Sequence, residues 1–339
     1  MQKEKKRILT GDRPTGPLHL GHYVGTLENR VKFQDQYECF FIIADYQFLT
    51  DHLLRTKELE NNIKEIVLDY LAVGINPEKS NIFLESRIPE IAKLTIYFSM
   101  LVTLARLQRN PTLKEEIRSA GFERAKVSYG FLGYPIIQAA DILALKGEFV
   151  PVGKDQLPYI EQTREIARNF NKIFQKEVFP IPQAILSKTP KLPGIDGKKM
   201  SKSLNNAIYL KDSKEEIERK IMKAFTDPKR IHPTDPGHFR RNVVFTYLEV
   251  FLKDKGELEE LKKLYKRGKI GDVAVKKRLI DVLIKFLAPI QERRREFEKK
   301  QNFIKEVLEK GIENTKKEAQ KTLEEVEKTM SFNYLNLFS

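Results

Sequence analysis

The residues best placed to do chemistry are His19 and His22, one helical turn apart with Gly21 between them. They follow the turn Gly11-Asp12-Arg13-Pro14-Thr15-Gly16-Pro17, which itself follows a strand-like run, Arg7-Ile8-Leu9-Thr10. Strand, glycine-rich turn and helix make a phosphate site, because a helix start offers unpaired N–H donors and a partial positive charge. Residues three apart share a helix face, so both imidazoles can look out of the turn. Leu20, Val24, Leu27 and Val31 form a stripe about a quarter turn away that anchors the helix to a sheet. Gly21 and Gly25 leave room for a ligand lying on the turn. Taken alone, the turn also fits a capped helix with two surface histidines.

Three further stretches could add to it. Gln138 and Asp141 put an amide and a carboxylate on one face of an otherwise apolar helix, Ile136 to Leu145. Buried polar groups need partners, in the core or in a ligand. Gly153-Lys154-Asp155-Gln156 follows a short strand, Phe149-Val150-Pro151-Val152. Lys199-Met200-Ser201-Lys202-Ser203 belongs to a glycine-flanked, lysine-rich loop that begins at Gly194.

The elements that must position these groups alternate strand and helix in the first half of the chain. Cys39 to Ala44 is a continuous apolar run, the mark of a strand covered on both faces. Thr56 is expected to cap a helix carrying Leu59, Ile63, Ile66, Val67 and Tyr70, stopped by Gly74 and Pro77. A strand Asn81 to Leu84 follows, then a helix opened by Pro89, a polar insert from Leu104 to Gly133, and a helix opened by Tyr134-Pro135. Ile160, Ile166, Ala167 and Phe170 predict one more helix. This alternation predicts a parallel α/β sheet with helices on both faces, and ligands bind beyond the carboxyl ends of its strands.

From Pro180 the sheet-like alternation is expected to stop, and beyond the lysine loop the chain reads as all helical. Ser213 and Glu216 predict a capping box. Helices are expected over 242–252, 257–265 and 272–287, with Pro289 interrupting and a last helix after Gly311 carrying Ala319, Leu323, Val326 and Met330. The run Gln291-Glu292-Arg293-Arg294-Arg295 reads as a solvated face.

Composition narrows the class of protein. At 339 residues the chain suits one large domain and a smaller one. No apolar run approaches the roughly 20 residues of a membrane helix, and Met1 to Arg7 is not followed by a signal-type apolar segment. Cytoplasmic residence is therefore expected. The net charge of +14 favours a polyanionic partner, nucleic acid first. The single cysteine, Cys39, can form neither an internal disulfide nor a thiolate metal cage.

His19-Leu20-Gly21-His22 and Lys199 to Ser203, in that order and context, resemble the HIGH and KMSKS motifs of class I aminoacyl-tRNA synthetases. The stretches Gly11 to Gly16, Ala139 to Leu143, Val150 to Gln156 and Glu161 to Asn169 extend the resemblance to the bacterial tryptophanyl-tRNA synthetases. It implies a Rossmann-like catalytic domain over 1–187, a lysine-rich loop and linker over 188–205 and a helical anticodon-binding domain over 206–311. A C-terminal helix over 312–339 would pack back on the catalytic domain. It implies that ATP activates tryptophan as tryptophanyl-AMP, with transfer to tRNA(Trp). His19, His22, Lys199 and Lys202 would be catalytic, the histidines donating to the α-phosphate and the lysines neutralising pyrophosphate. Arg13, Thr15, Gly21, Lys114, Gly153, Asp155, Met200 and Ser201 would complete the ATP site with the two lysines. Tyr134, Gln138 and Gln156 would hold the ammonium and carboxylate of the amino acid. Asp141 would accept the indole N–H, and Val150 and Val152 would line the ring. Mg²⁺ would be held mainly by the ATP phosphates. A homodimer is implied, and an iron–sulfur cluster, found in some relatives, is not expected with no cysteine after Cys39.

Departures from the family pattern fall at Gln47 and Tyr159, where histidine is frequent, and at Gln162, where leucine is usual. Asp141 would accept from a tyrosine hydroxyl as readily as from an indole, so it does not separate the tryptophan enzyme from the tyrosine enzyme. Another adenylyl transferase would lack the helical tail, and a non-catalytic tRNA-binding relative would be expected to lose motif residues. Both motifs are intact.

Overall fold

The protein is described by a computed structural model that covers residues 5–119, 126–186, 192–202, 204–230, 232 and 234–332. Ser203 of the lysine loop lies outside the described residues.

Five strands form one parallel sheet: β1 (Arg7–Asp12), β2 (Glu38–Ile43), β3 (Ser80–Leu84), β4 (Phe149–Val152) and β5 (Gln183–Leu186), in the order β3-β2-β1-β4-β5. Side chains alternate across a strand. Ile8, Cys39, Phe41 and Ile43 therefore join one core and Leu9, Phe40 and Ile42 the other. Both faces are covered, which explains the unbroken apolar run of β2. Strand order reverses at β1, flanked by β2 and β4, and a crevice opens at the carboxyl ends of such a pair. The β5 strand corrects the expectation that sheet structure ends at Pro180. Its residues are exposed or half-buried, so this short edge strand lacks the apolar signal of β2.

The first helical stretch begins as α1 (Leu20–His22), passes through a π-helical turn (Tyr23–Leu27) and continues as α2 (Glu28–Phe33). After β2 come α3 (Asp45–His52), a 3₁₀ stretch (Leu53–Glu58) and α4 (Leu59–Val73). Thr56 lies inside that 3₁₀ stretch and does not cap α4, whereas Gly74 ends α4 at φ +108° as expected. After β3, a 3₁₀ turn (Glu85–Arg87) leads into α5 (Pro89–Ser99), α6 (Leu104–Arg109) and α7 (Pro111–Ser119). The next helix, α8 (Tyr129–Ala144), starts earlier than expected, because Ser128 Oγ accepts from the Phe131 N–H at 3.1 Å. Pro135 is thus inside a helix, not at its start. The helix α9 (Leu157–Ile173) follows β4.

The rest of the described chain is helical: α10 (Lys214–Met222), α11 (Val243–Phe251), α12 (Lys255–Lys266), α13 (Asp272–Glu298) and α14 (Gln301–Thr329). The Ser213–Glu216 capping box forms as expected. Pro289 does not interrupt α13. It lies on the exposed face, where water can hydrate the carbonyl it leaves unpaired. Nor does Gly311 start the last helix. It sits mid-way along α14, where a Cβ would stand 2.0 Å from the Ile82 carbonyl oxygen, so the glycine lets α14 lie against β3. One end of α14 buries Ile304 and Val307 in the first core and the other buries Ala319, Leu323 and Val326 in the second.

The run from Gln291 to Arg295 is not a solvated face. Arg294, 3% exposed, pairs with Asp69, which is fully buried, and with Glu65 at 2.9 Å, both on α4. Arg293 Nε donates to the Ala72 carbonyl at 2.6 Å. Asp69 Oδ2 in turn accepts the Leu18 N–H at 2.7 Å, one residue before His19. The guanidinium of Arg294 thus fixes the carboxylate that fixes the histidine turn. Arg294→Met should leave Asp69 buried without its cation and cost about 3–5 kcal/mol in urea unfolding. The exposed Arg295→Ala should stay within about 0.5 kcal/mol of wild type.

Candidate active site

A cavity of about 920 Å³ opens beyond the carboxyl ends of β1 and β4, at the reversal of strand order. Arg13, His19, Gly21, His22, Gln138, Asp141, Val150, Val152, Gly153, Gln156, Lys199 and Met200 line it together, although they are spread over nearly 190 positions of sequence. Thr15, Lys114, Tyr134, Asp155, Ser201 and Lys202 do not line this cavity.

The histidine turn is held on both sides. Asp69 takes the Leu18 N–H. Across from it, residues 18–20 pair antiparallel with 208–210: the Leu20 N–H donates to the Ile208 carbonyl at 2.9 Å and the Leu210 N–H to the Leu18 carbonyl at 3.0 Å. The His19 and His22 ring centroids lie 3.8 Å apart. Burial drives both imidazoles neutral, His19 to about 2 and His22 to about 4, with Lys202 adding repulsion to each and the partner His22 a further push on His19. The His19 N–H donates to His22 Nδ1 at 3.2 Å. A neutral ring that accepts at Nδ1 carries its proton at Nε2, so His22 keeps one donor free for a ligand.

Beneath the turn lies a buried charged group that sequence reasoning missed. Arg30, 1% exposed, donates to Asp12 Oδ2 at 2.7 Å and to the Tyr70 hydroxyl at 2.8 Å, and that hydroxyl donates to Asp12 at 2.7 Å. Burial pushes the Asp12 carboxyl up, but Arg30, His22 and the tyrosine outweigh it and hold it at about 2. Asp12 stands inside the Gly11 to Gly16 turn, so its presence was visible. Its partners, from α2 and α4, left no signal.

The lysine loop closes over the histidine turn. It is a small hairpin turn: Pro193 bridges Lys199, the Gly194 N–H donates to Lys198, and Gly197 turns the chain at φ +81°. Buried Asn206 holds it from behind, accepting from the Ser201 N–H at 2.8 Å and donating to the Lys199 carbonyl at 3.1 Å. Lys202 Nζ reaches the Thr15 hydroxyl at 3.1 Å and the Gly16 carbonyl at 2.7 Å, so Thr15 meets Lys202 just outside the cavity lining. Burial lowers the Lys202 ammonium to about 8 despite Asp12 and Asp69. Gly21 permits the close approach: a Cβ there would sit 2.9 Å from the His19 ring and 3.0 Å from Met200 Sδ. Lys199 is exposed at the cavity mouth.

The opposite wall is apolar with fixed polar points. Asp141, 1% exposed, accepts from Gln47 Nε2 at 2.9 Å, and burial raises its carboxyl above the usual range. Gln138 Oε1 is buried without a donor in the protein and faces the cavity, an acceptor available to a ligand. Tyr134 and Tyr159 share Glu116: both hydroxyls bond its carboxylate, Tyr159 at 3.0 Å, and they bond each other. Burial raises both phenols, so both stay protonated. Tyr159, where the family frequently has histidine, is thus a polar partner of Tyr134 and Glu116. Lys114 and Asp155 are exposed, and the Asp155 carbonyl accepts from the Thr112 hydroxyl at 2.7 Å, which joins the loop after β4 to the start of α7.

Residues 1–288 match the family model for class I tRNA synthetases of tryptophan and tyrosine (W and Y). The chain belongs to this family. It is 51% identical over 337 residues to a tryptophan–tRNA ligase of Clostridium longisporum, covering 98% of each chain. It is 48% identical over 340 residues to the tryptophan–tRNA ligase of Streptococcus pneumoniae, covering 98% of this chain and 99% of the relative. The tryptophanyl-tRNA synthetase of Campylobacter jejuni, solved with ADP and tryptophan, superposes with a TM-score of 0.84 at 30% identity, over 96% of this chain and 99% of that one. The five-stranded parallel sheet followed by helices is the Rossmann-like α/β fold expected from the sequence.

A polyphosphate bound beside Lys202 would bind with a pH dependence set by that ammonium. The free lysine titrates near 8, and a polyphosphate beside it must raise that value. The cation is present below the free value and lost as pH rises through it. ATP affinity measured by calorimetry should thus be level below pH 8 and fall about tenfold per pH unit above it, until the bound lysine titrates. Lys202→Arg should abolish that alkaline limb.

Proposed function

We propose that the chain is a tryptophan–tRNA ligase that forms tryptophanyl-AMP and pyrophosphate from tryptophan and ATP, then acylates the 3′-terminal adenosine of tRNA(Trp). The observation that carries this reading is the facing of two neutral histidines and a lysine loop across one end of a cavity whose buried far wall bears Asp141. In activation an amino-acid carboxylate oxygen attacks the α-phosphorus, and the bond to the bridging oxygen of pyrophosphate breaks. No protein nucleophile is needed. Positioned donors and cations that meet the charge building on phosphate oxygens supply the catalysis.

His22 Nε2–H, with its tautomer fixed by the His19 backbone, is suited to an α-phosphate oxygen. A neutral donor serves here because it needs no proton from solvent at the transition state. Lys199 and Lys202 would neutralise the departing pyrophosphate, Lys202 leaving its contacts with Thr15 and Gly16 as it does so. Arg13, Gly153 and Met200 would contact ATP at the cavity wall, with Ser201 held by Asn206 and Lys114 and Asp155 at the rim. Magnesium would be carried mainly by the ATP phosphates, as is common for this ion.

For tryptophan, Asp141 is the acceptor for the indole N–H, Val150 and Val152 flank the ring, and Gln138 Oε1 and Gln156 are assigned to the ammonium and carboxylate. Tyr134, tied to Tyr159 and Glu116, would shape that end. The helical region 206–311 would read the anticodon, helped by the net charge of +14 on the whole chain. A homodimer is supported by exposed apolar side chains where α5 ends and α6 begins, namely Ile96, Met100 and Leu104, and light scattering near twice 39.5 kDa would verify it. Among the described residues no helix is long and apolar enough to cross a membrane. A cytoplasmic location is proposed on the ground that tRNA is the substrate.

Two measurements test the assignment. Amino-acid-dependent pyrophosphate exchange should respond to tryptophan, with phenylalanine lower by about 10⁴ because it leaves the buried acceptor unpaired. Exchange with tyrosine alone would give the site to the tyrosine enzyme. His22→Ala should lower kcat by about 10²–10³ while equilibrium tryptophan binding changes little. Collapse of tryptophan binding with unchanged turnover would reverse the roles assigned to the two ends of the cavity.

A further inference from the structure

Glu85, fully buried in the 3₁₀ turn at the carboxyl end of β3, does not line the cavity and takes no part in the reading above. Its Oε2 accepts two backbone donors at the start of α3, the Tyr46 N–H at 2.9 Å and the Gln47 N–H at 3.2 Å. The Gln47 side chain then donates to Asp141 Oδ2 at 2.9 Å. The other two oxygens, Glu85 Oε1 and Asp141 Oδ1, are buried with no N–H or O–H donor from any other described residue. The two carboxyl groups are neighbours, close enough to hydrogen-bond once a proton stands between them.

Two adjacent buried carboxylates cannot both ionise cheaply. The surroundings make ionisation harder: Asp45 of α3, itself an acid and bonded to the Ser86 N–H at 2.9 Å, acts on both. Burial and this repulsion raise both acids. Glu85 is raised well above the usual carboxylate range, while Asp141 gains hydrogen bonds from Gln47 and Glu85 that favour its charged form.

We propose that Glu85 is a positioning residue held as the neutral acid, whose Oε1–H donates to Asp141 Oδ1 and aims that carboxylate at the ring N–H of the amino-acid substrate. With Gln47 on Oδ2 and Glu85 on Oδ1, both oxygens of Asp141 are clamped. A carboxylate has about four lone-pair sites, so each oxygen still has one to offer the ligand. The proton stays on Glu85 throughout and no bond changes in the step. The inference rests on the assignment of Asp141 to the indole N–H, and it explains how a buried acid can carry the charge that makes it a strong acceptor.

The test uses full-length wild type, Glu85→Gln and Glu85→Ala. Infrared spectroscopy at neutral pH should show the C=O stretch of a buried protonated carboxylic acid in wild type, absent from E85Q. E85A should raise KM for tryptophan by about ten- to a hundredfold with KM for ATP unchanged, since it leaves a buried charged acceptor without its donor. E85Q presents an N–H where the acid presents its O–H and should recover KM to within about threefold of wild type. With a tryptophan analogue whose ring N–H is replaced by sulfur, E85A and wild type should differ by less than about threefold, because the aimed bond is missing from both. An absent infrared band, a band that survives in E85Q, or an E85Q as impaired as E85A would each overturn the proposal. Absence of tryptophan-dependent exchange in wild type would instead count against the assignment of Asp141, and the infrared result stands apart from turnover.

Discussion

The pairing of residues 18–20 with 208–210 is the contact on which the rest of the site depends. Two backbone hydrogen bonds, from the Leu20 N–H to Ile208 and from the Leu210 N–H to Leu18, join the histidine turn to the chain that emerges from the lysine loop. Without that bridge the two motifs, some 180 residues apart, have no reason to face one another. With it, Met200 lies against Gly21, and Lys202 reaches Thr15 and Gly16. The bridge sits outside the five-stranded sheet, so the loop is tethered at its base while its lysines remain free to exchange partners.

Charge burial organises the layer beneath. Asp69 fixes Leu18 and is itself fixed by Arg294 of α13, so a helix from the far end of the chain supports the histidine turn. Arg30 does the same for Asp12 from α2, with Tyr70 as a third member. Such pairs add little net stability, because the desolvation cost offsets the attraction, but they penalise any arrangement that leaves one member alone. They therefore fix geometry more than they strengthen the fold. On the amino-acid side the same problem has a different solution. There the donors to Asp141 and Glu85 are Gln47 and two backbone N–H groups, and the proposed proton on Glu85 takes the place of a counter-charge.

Pattern was legible where the residues that set it lie close together in the chain. The apolar run of β2 and the Gly74 stop, like the capping box at Ser213 further on, each depend on residues close in sequence, and each has the local structure expected. Expectations failed where distant packing overrode a local signal. Pro135 and Pro289 sit within helices whose other hydrogen bonds and buried faces outweigh one lost donor. Gly311 looked like a helix start and is a contact surface for β3. The basic run through Arg294 looked solvated because its acidic partners lie more than 200 positions earlier.

The sequence by itself determined the α/β class and carried the two motifs by which the family is recognised. Those features rest on turn geometry, side-chain periodicity and spacing within a few residues. Only the tertiary structure decided that burial leaves both histidines neutral and lowers the Lys202 ammonium to about 8. It also decided that Glu85 stands behind Asp141. Each of these follows from which groups are brought together and how far water is excluded, and neither quantity is written in the spacing of residues along a chain.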